Sequence, residues 1–185
     1  MDTVAAGIKR ADNPGVNFQR RRFVVTIALF GIAGPIPGLA RPEQEWQAYT
    51  NTAYDITFRY PRGWKPSPVY SERIYFGGPD GSLQMDVADG DNPEQICQRD
   101  TTHKQRPYGS HPQVRAIKVQ GQRACLVWPS NDQEPIAENY AELVVRYPRP
   151  VEIDGSRYRL LILNADKKYL LQIVRTIRFL SSSRP

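Results

Sequence analysis

The chain has 185 residues and a formal net charge of +6; 24 % of it is charged, 40 % hydrophobic, and it holds two cysteines and two histidines. Lys9, Arg10, Arg20, Arg21 and Arg22 against Asp2 and Asp12 supply half of that charge, so residues 41–185 carry about +3. That is enough for solubility and weak attraction to anionic surfaces, and too little to indicate a nucleic-acid partner.

In chain order, residues 20–40 come first. Arg20-Arg21-Arg22 precede an apolar run from Phe23 to Ala33, and Gly38 and Ala40 flank Leu39. A basic segment, a short apolar core and a small-x-small site form a secretory signal. Residues 1–40 are therefore expected to be an export signal, cut after Ala40. The run is about half the roughly 20 apolar residues a spanning helix needs, and Pro35 and Pro37 would break its continuation. No transmembrane segment is expected in the mature form. Arg20-Arg21-Arg22-Phe23-Val24 also fits a twin-arginine signal, although Gln19 stands where Ser or Thr is usual. The ordinary secretory route and the twin-arginine route both remain open. The rival reading is an amphipathic or buried N-terminal helix of the folded domain, which the arginines and prolines oppose. Cleavage leaves about 145 residues, one domain's worth.

Tyr54 to Tyr60 alternates apolar and polar, a strand with Tyr54, Ile56, Phe58 and Tyr60 on one face, ended by Pro61-Arg62-Gly63. Residues 70–76 and 83–88 read as a hairpin about Gly77-Gly78-Pro79-Asp80-Gly81. Asn92, Pro93 and Gln95 signal a helix start with a capping box, and the helix is expected to run to about Arg106. Pro107 to Pro112 is a loop. Residues 114–119 and 123–128 form a second hairpin, with Ala124, Leu126 and Trp128 facing one way and Cys125 and Val127 the other. Residues 129–139 are a polar loop and 141–147 a strand. Tyr158 to Leu163 is apolar on both faces, which suits a central strand. Asp166 caps a last amphipathic helix with Leu170, Ile173, Val174 and Ile177 in phase, and residues 181–185 are a frayed tail. Short turns between strands imply a mainly antiparallel sheet. With helices expected on both faces, the fold class is an α+β, α/β/α sandwich over residues 41–180.

Cys97 and Cys125 are the only cysteines. In an oxidising compartment they favour a disulfide, which requires the helix bearing Cys97 to lie over the Cys125 and Val127 face. Two buried free thiols, or a metal or redox pair, are the alternatives. A redox pair usually has Cys-x-x-Cys spacing, and a zinc site would need two more ligands.

Tyr54-Asp55-Ile56-Thr57-Phe58-Arg59-Tyr60-Pro61-Arg62-Gly63-Trp64-Lys65 resembles the first core strand of the PsbP-like proteins, which runs into Tyr-Pro-x-Gly-Trp. Thr176-Ile177-Arg178-Phe179 after the last helix is similar to that family's C-terminal end. The resemblance implies an antiparallel sheet flanked by helices and an extracytoplasmic location: secreted, periplasmic or thylakoid-lumenal. It further implies an accessory or binding role, as in extrinsic subunits of photosystem II and exported bacterial relatives. No catalytic residue carries over by position. The cysteine pair and the Pro107–Pro112 loop are not part of the photosystem pattern.

No Gly-x-Ser-x-Gly elbow, His-Glu-x-x-His or glycine-rich phosphate loop is present. Neither His103 nor His111 has a nucleophile and an acid placed around it by motif. Asp86, Asp89, Asp91 and Glu94 are calcium-type ligands without EF-hand spacing, and a helix N-terminus explains such acids equally. No catalytic, cofactor or metal residue is assigned. The expectation is a monomeric, non-enzymatic exported domain that contacts an unidentified protein or cell-envelope component. Its contact surface is expected around the loops 107–112 and 129–135, with Tyr108, His111, Trp128 and Tyr147 along it. The alternatives are a small-ligand or ion carrier with a pocket beside the sheet, and a hydrolase about His111 with Ser110 or Ser130.

Overall fold

The computed structural model describes residues 45–133 and 139–180. The expected export signal, the tail at 181–185 and part of the 129–139 loop lie outside the described residues. Ten strands and two helices occur among those described. Every strand pairing is antiparallel. The coarse expectation, an α+β fold on antiparallel strands, is met. None of the described helices is long and apolar enough to cross a membrane.

The strands form two sheets where the sequence pattern suggested one. Strands β1 (Trp46–Asn51) and β2 (Ile56–Pro61) pair with β10 (Arg178–Phe179) in the smaller. The larger contains β3 (Lys65–Tyr70), β4 (Arg73–Gly78), β5 (Gly81–Ala88), β6 (Gln113–Val119), β7 (Gln122–Trp128), β8 (Tyr140–Ile153) and β9 (Ser156–Asp166). Its order is β3-β4-β5-β9-β8-β7-β6, so β9 is central, as its two apolar faces require. Both hairpin turns at Gln120-Gly121 and Asp154-Gly155 place two successive residues at positive φ (50° and 78°, 49° and 77°), the backbone that matches strand twist.

Helix α1 (Pro93–Thr101) starts where expected: Asn92 Oδ1 accepts the Glu94 N–H at 3.1 Å. Gln95 contributes its main-chain N–H to Asn92 O rather than a capping-box side chain. The helix stops five residues before Arg106. Thr101 and Thr102 turn their hydroxyls back onto the carbonyls of Cys97 and Gln98, both at 2.8 Å. Pro107 disfavours helical backbone at the preceding residue, and Arg106 sits at φ 44°. Helix α2 (Lys167–Thr176) is capped by Asp166, whose Oδ1 accepts the Lys168 N–H at 3.0 Å.

Alternation along the central strands divides the interior into two groups. Leu143, Val145, Leu161 and Leu163 pack with Leu170 and Ile173 of α2 and with the buried face of β2, Ile56, Phe58 and Tyr60. Phe76 of β4 joins the sheets: its ring lies 4.9 Å from Tyr49, 5.6 Å from Phe58 and 5.0 Å from Tyr60. The other group gathers Cys97, Tyr108, Cys125, Val127, Val144, Leu160 and Ile162. There Cys97 and Cys125 form a disulfide with Cα atoms 6.5 Å apart, and α1 is seated on the Cys125 and Val127 face.

Trp64, 1 % exposed, donates its indole N–H to Asp80 Oδ1 at 2.9 Å and meets the Tyr169 ring edge-on at 5.1 Å. Gly78 makes room for it: a Cβ there would stand 1.9 Å from Trp64 Cδ1. Gly78→Ala must displace that ring, and is expected to lower the unfolding free energy by about 2–3 kcal/mol in chemical denaturation. Reducing the disulfide, which closes a loop of sequence separation 28, is expected to cost about 3.5 kcal/mol in the same measurement.

Candidate functional site

Two loops at one end of the long sheet, 107–112 and 129–133, are tied into one unit. Gly109 (φ 80°) presses so closely on the second loop that a Cβ would lie 2.1 Å from Ser130 Oγ and 2.6 Å from Asp132 Oδ1. Asp132 is the hub. It accepts the hydroxyls of Ser110 and Ser130, each at 2.5 Å, and the Ser110 N–H at 3.2 Å. The Ser130 N–H bonds Tyr108 O at 3.0 Å. Gln133 adds bonds from its amide to the carbonyls of Pro107 (2.9 Å) and Tyr140 (3.1 Å). The Ser110 and Ser130 hydroxyls and the Ser110 N–H hold the exposed Asp132 carboxyl well below the usual carboxylate range.

This arrangement opposes the hydrolase alternative. A serine nucleophile needs a base able to take its proton. Here both candidate hydroxyls point at a carboxylate whose basicity those same bonds suppress. His111 joins only through its main-chain N–H, 3.2 Å from Ser130 Oγ. Its side chain is exposed and makes no hydrogen bond among the described residues.

Beneath the loop lies a buried polar group. The Tyr108 phenol reaches Glu142 Oε2 on β8 and Asn164 Oδ1 on β9, both at 2.8 Å. Glu142 and Asn164 are cross-strand partners, which is why one phenol meets both. Glu142 is 2 % exposed. Burial pushes its carboxyl up to about 7, with the Tyr108 bond and Arg99 pulling down and Asp100 and Asp86 pushing up. Among the described residues its Oε1 accepts no hydrogen bond.

The four residues expected along a contact surface do not share one. Tyr108 is buried in the smaller interior group. Tyr147 belongs to the larger, 2 % exposed, with its ring 5.4 Å from Phe179 and its hydroxyl without a partner among the described residues. Burial lifts that phenol well above its ordinary range. Their aromatic bulk was filled inward, as it usually is. Trp128 is half-buried at the end of β7, and His111 alone is fully at the surface. The residues that organise the loops, Asp132 and Glu142, were missed. Glu142 had a signal: a carboxylate amid the apolar run Ala141–Val145, at a buried phase of the strand.

Three of the acids around residues 86–94 meet arginines. Asp86 pairs with Arg73 at 2.5 Å and Glu94 with Arg123 at 3.0 Å. Asp91 bridges Arg159 at 2.7 Å and Arg146 at 3.4 Å, which hold its carboxyl below the usual range. His103, expected on the helix, lies beyond its end and is exposed.

Asp132→Ala removes the acceptor common to the two loops. It is expected to raise hydrogen exchange across residues 107–112 while the core strands stay protected. A depressed folded pKa contributes stability present above the unfolded value and lost as pH falls. Wild-type loop protection due to Asp132 is therefore expected to drop below about pH 4, and this acid step to be absent in Asp132→Asn.

No family model matches the chain, and no curated protein matches it. Several solved structures do. The Ran-binding protein Mog1p of Saccharomyces cerevisiae is 12 % identical, with a TM-score of 0.46 over 76 % of this chain and 98 % of that one. A protein of Bacteroides thetaiotaomicron is 10 % identical, with a TM-score of 0.46 over 75 % of this chain and 50 % of its own. PsbP of the cyanobacterium Synechocystis sp. is 14 % identical, with a TM-score of 0.46 over 80 % of this chain and 99 % of that one.

Proposed function

We infer that residues 41–180 act as an exported, non-enzymatic domain that binds a protein or another cell-envelope component. The contact is made at the surface around loops 107–112 and 129–133. The observation that carries this reading is the Asp132 network: it fixes two loops in one conformation and leaves the His111 side chain outside it. A surface ordered in advance loses less entropy on binding, and the Ser110 and Ser130 hydroxyls are engaged by a weakly basic carboxylate, which disfavours either as a hydrolytic nucleophile. Residues 1–40 serve as the export signal, by either route, and residues 181–185 as a tail. The Cys97–Cys125 bond suits an oxidising compartment. In the same reading one helix covers each face of the long sheet, supported by the division of buried residues between α1 and α2. The domain works as a monomer without nucleic acid or cofactor.

Intact mass of the natively exported protein is expected to give an N-terminus at Arg41 and an oxidised cysteine pair; a retained leader overturns the export reading. Affinity capture from the host's envelope fraction is expected to recover a component that His111→Ala loses and that Leu171→Ala, at an exposed site on α2, retains. Turnover of ester or amide substrates by the purified protein, or recovery of nothing but a bound small molecule, overturns the binding reading.

A further inference from the structure

We propose that Glu142 is a proton-operated latch: as a neutral acid it seats Tyr108 and the segment 102–112 on the sheet, and on ionising it releases them. The proton inventory carries this. A phenol has one hydrogen, yet Tyr108 Oη stands 2.8 Å from two oxygens, Glu142 Oε2 and Asn164 Oδ1. Both contacts are hydrogen bonds if Glu142 carries a proton. The acid then donates to Oη, and Oη donates to Asn164. With Glu142 ionised, the phenol hydrogen goes to Oε2, and Asn164 must turn its amide nitrogen toward Oη. Oε1 is then a buried charged oxygen with no protein donor among the described residues. Leaving an ionised oxygen in that state is far costlier than leaving the carbonyl of a neutral acid there.

The surroundings agree. Apolar Cys97, Cys125, Val127, Val144, Leu160 and Ile162 form the rest of this interior group. From α1, Asp100 opposes the charge and Arg99 favours it, while Asp86 on β5 opposes it and is itself paired with Arg73 on β4. Tyr108 is driven far above its ordinary range by burial and by Glu142, so it stays a neutral phenol throughout. On the segment itself, His103, Lys104, Arg106 and His111 are exposed. Anchors define what can move. The disulfide holds α1 at Cys97 and β6 begins at Gln113, so the release is confined to the residues between. The latch operates whether or not the loops bind a partner.

The sign follows from linkage. Glu142 titrates at about 7 when buried against an ordinary 4.5, so the closed state binds the extra proton between those values. Closure weakens as pH rises through that window and levels off above it. The test is hydrogen exchange on the full-length oxidised protein from pH 5 to 8, with the intrinsic base-catalysed rise divided out, alongside carbon NMR of the glutamate carboxyls. The expected result is one glutamate titrating near 7 and, for residues 102–112 alone, an opening equilibrium that rises about tenfold per pH unit up to that midpoint. Glu142→Gln, a permanent mimic of the neutral acid, is expected to abolish the response. His103→Gln/His111→Gln is expected to keep it. A Glu142 carboxyl titrating in the ordinary range, or segment protection unchanged from pH 5 to 8, overturns the proposal. The wild-type titration decides this even if a variant fails to fold.

Discussion

The bond between Cys97 and Cys125 is the constraint on which this end of the molecule depends. Helix α1 is short, and only Pro93 and Cys97 along it are buried. Nine residues with so narrow an apolar face hold little helix stability of their own. The covalent link seats the helix against β7, and through it the 102–112 segment is delivered over β8 and β9. Tyr108 can then reach Glu142 and Asn164, and Gly109 can press against Ser130. The disulfide and the geometry of the two loops are thus parts of one device.

The opposite interior group is built differently. Phe58, Tyr60, Phe76 and Tyr49 meet at tilted and edge-on angles, with Phe76 in contact with the other three. Such packing suits ring quadrupoles and removes much apolar surface from water. Trp64 extends it under the Pro79-Asp80 turn, where Asp80 also accepts the Tyr169 phenol and the Lys168 ammonium lies over the Tyr169 ring. The Tyr-Pro-x-Gly-Trp stretch that suggested the family resemblance is therefore the joint between the two sheets.

Much of this was legible in the sequence because period-two alternation survives in the strands that face the core. The burial of Ile56, Phe58 and Tyr60, the partition of Ala124 from Cys125, and the central place of Tyr158–Leu163 all follow from that pattern. Strands β1 and β3 were not legible for a physical reason. Every residue of β3 is exposed, with prolines at 66 and 68, and Trp46–Asn51 has no fully buried residue, so neither shows a phase. The division into two sheets depends on pairing over long separations, such as Phe179 with Ile56, which local pattern does not encode. At the candidate site the loops were visible from their prolines and glycines, while the inward turn of Tyr108 and Tyr147 was not. An aromatic residue at the end of an element can fill the core or face solvent, and only the tertiary neighbours choose.

The two lateral borders of the long sheet are chemically unequal. Pro66 and Pro68 sit two apart on β3, so both missing amide hydrogens belong to the same side of that strand. Proline is accommodated in an edge strand where its amide would face outward. That border lacks two of its outward donors and is a poorer template for another chain. The border at β6, free of proline from Gln113 to Val119, retains its full ladder capacity. Within the long sheet, main-chain pairing with another strand is thus easier along β6 than along β3.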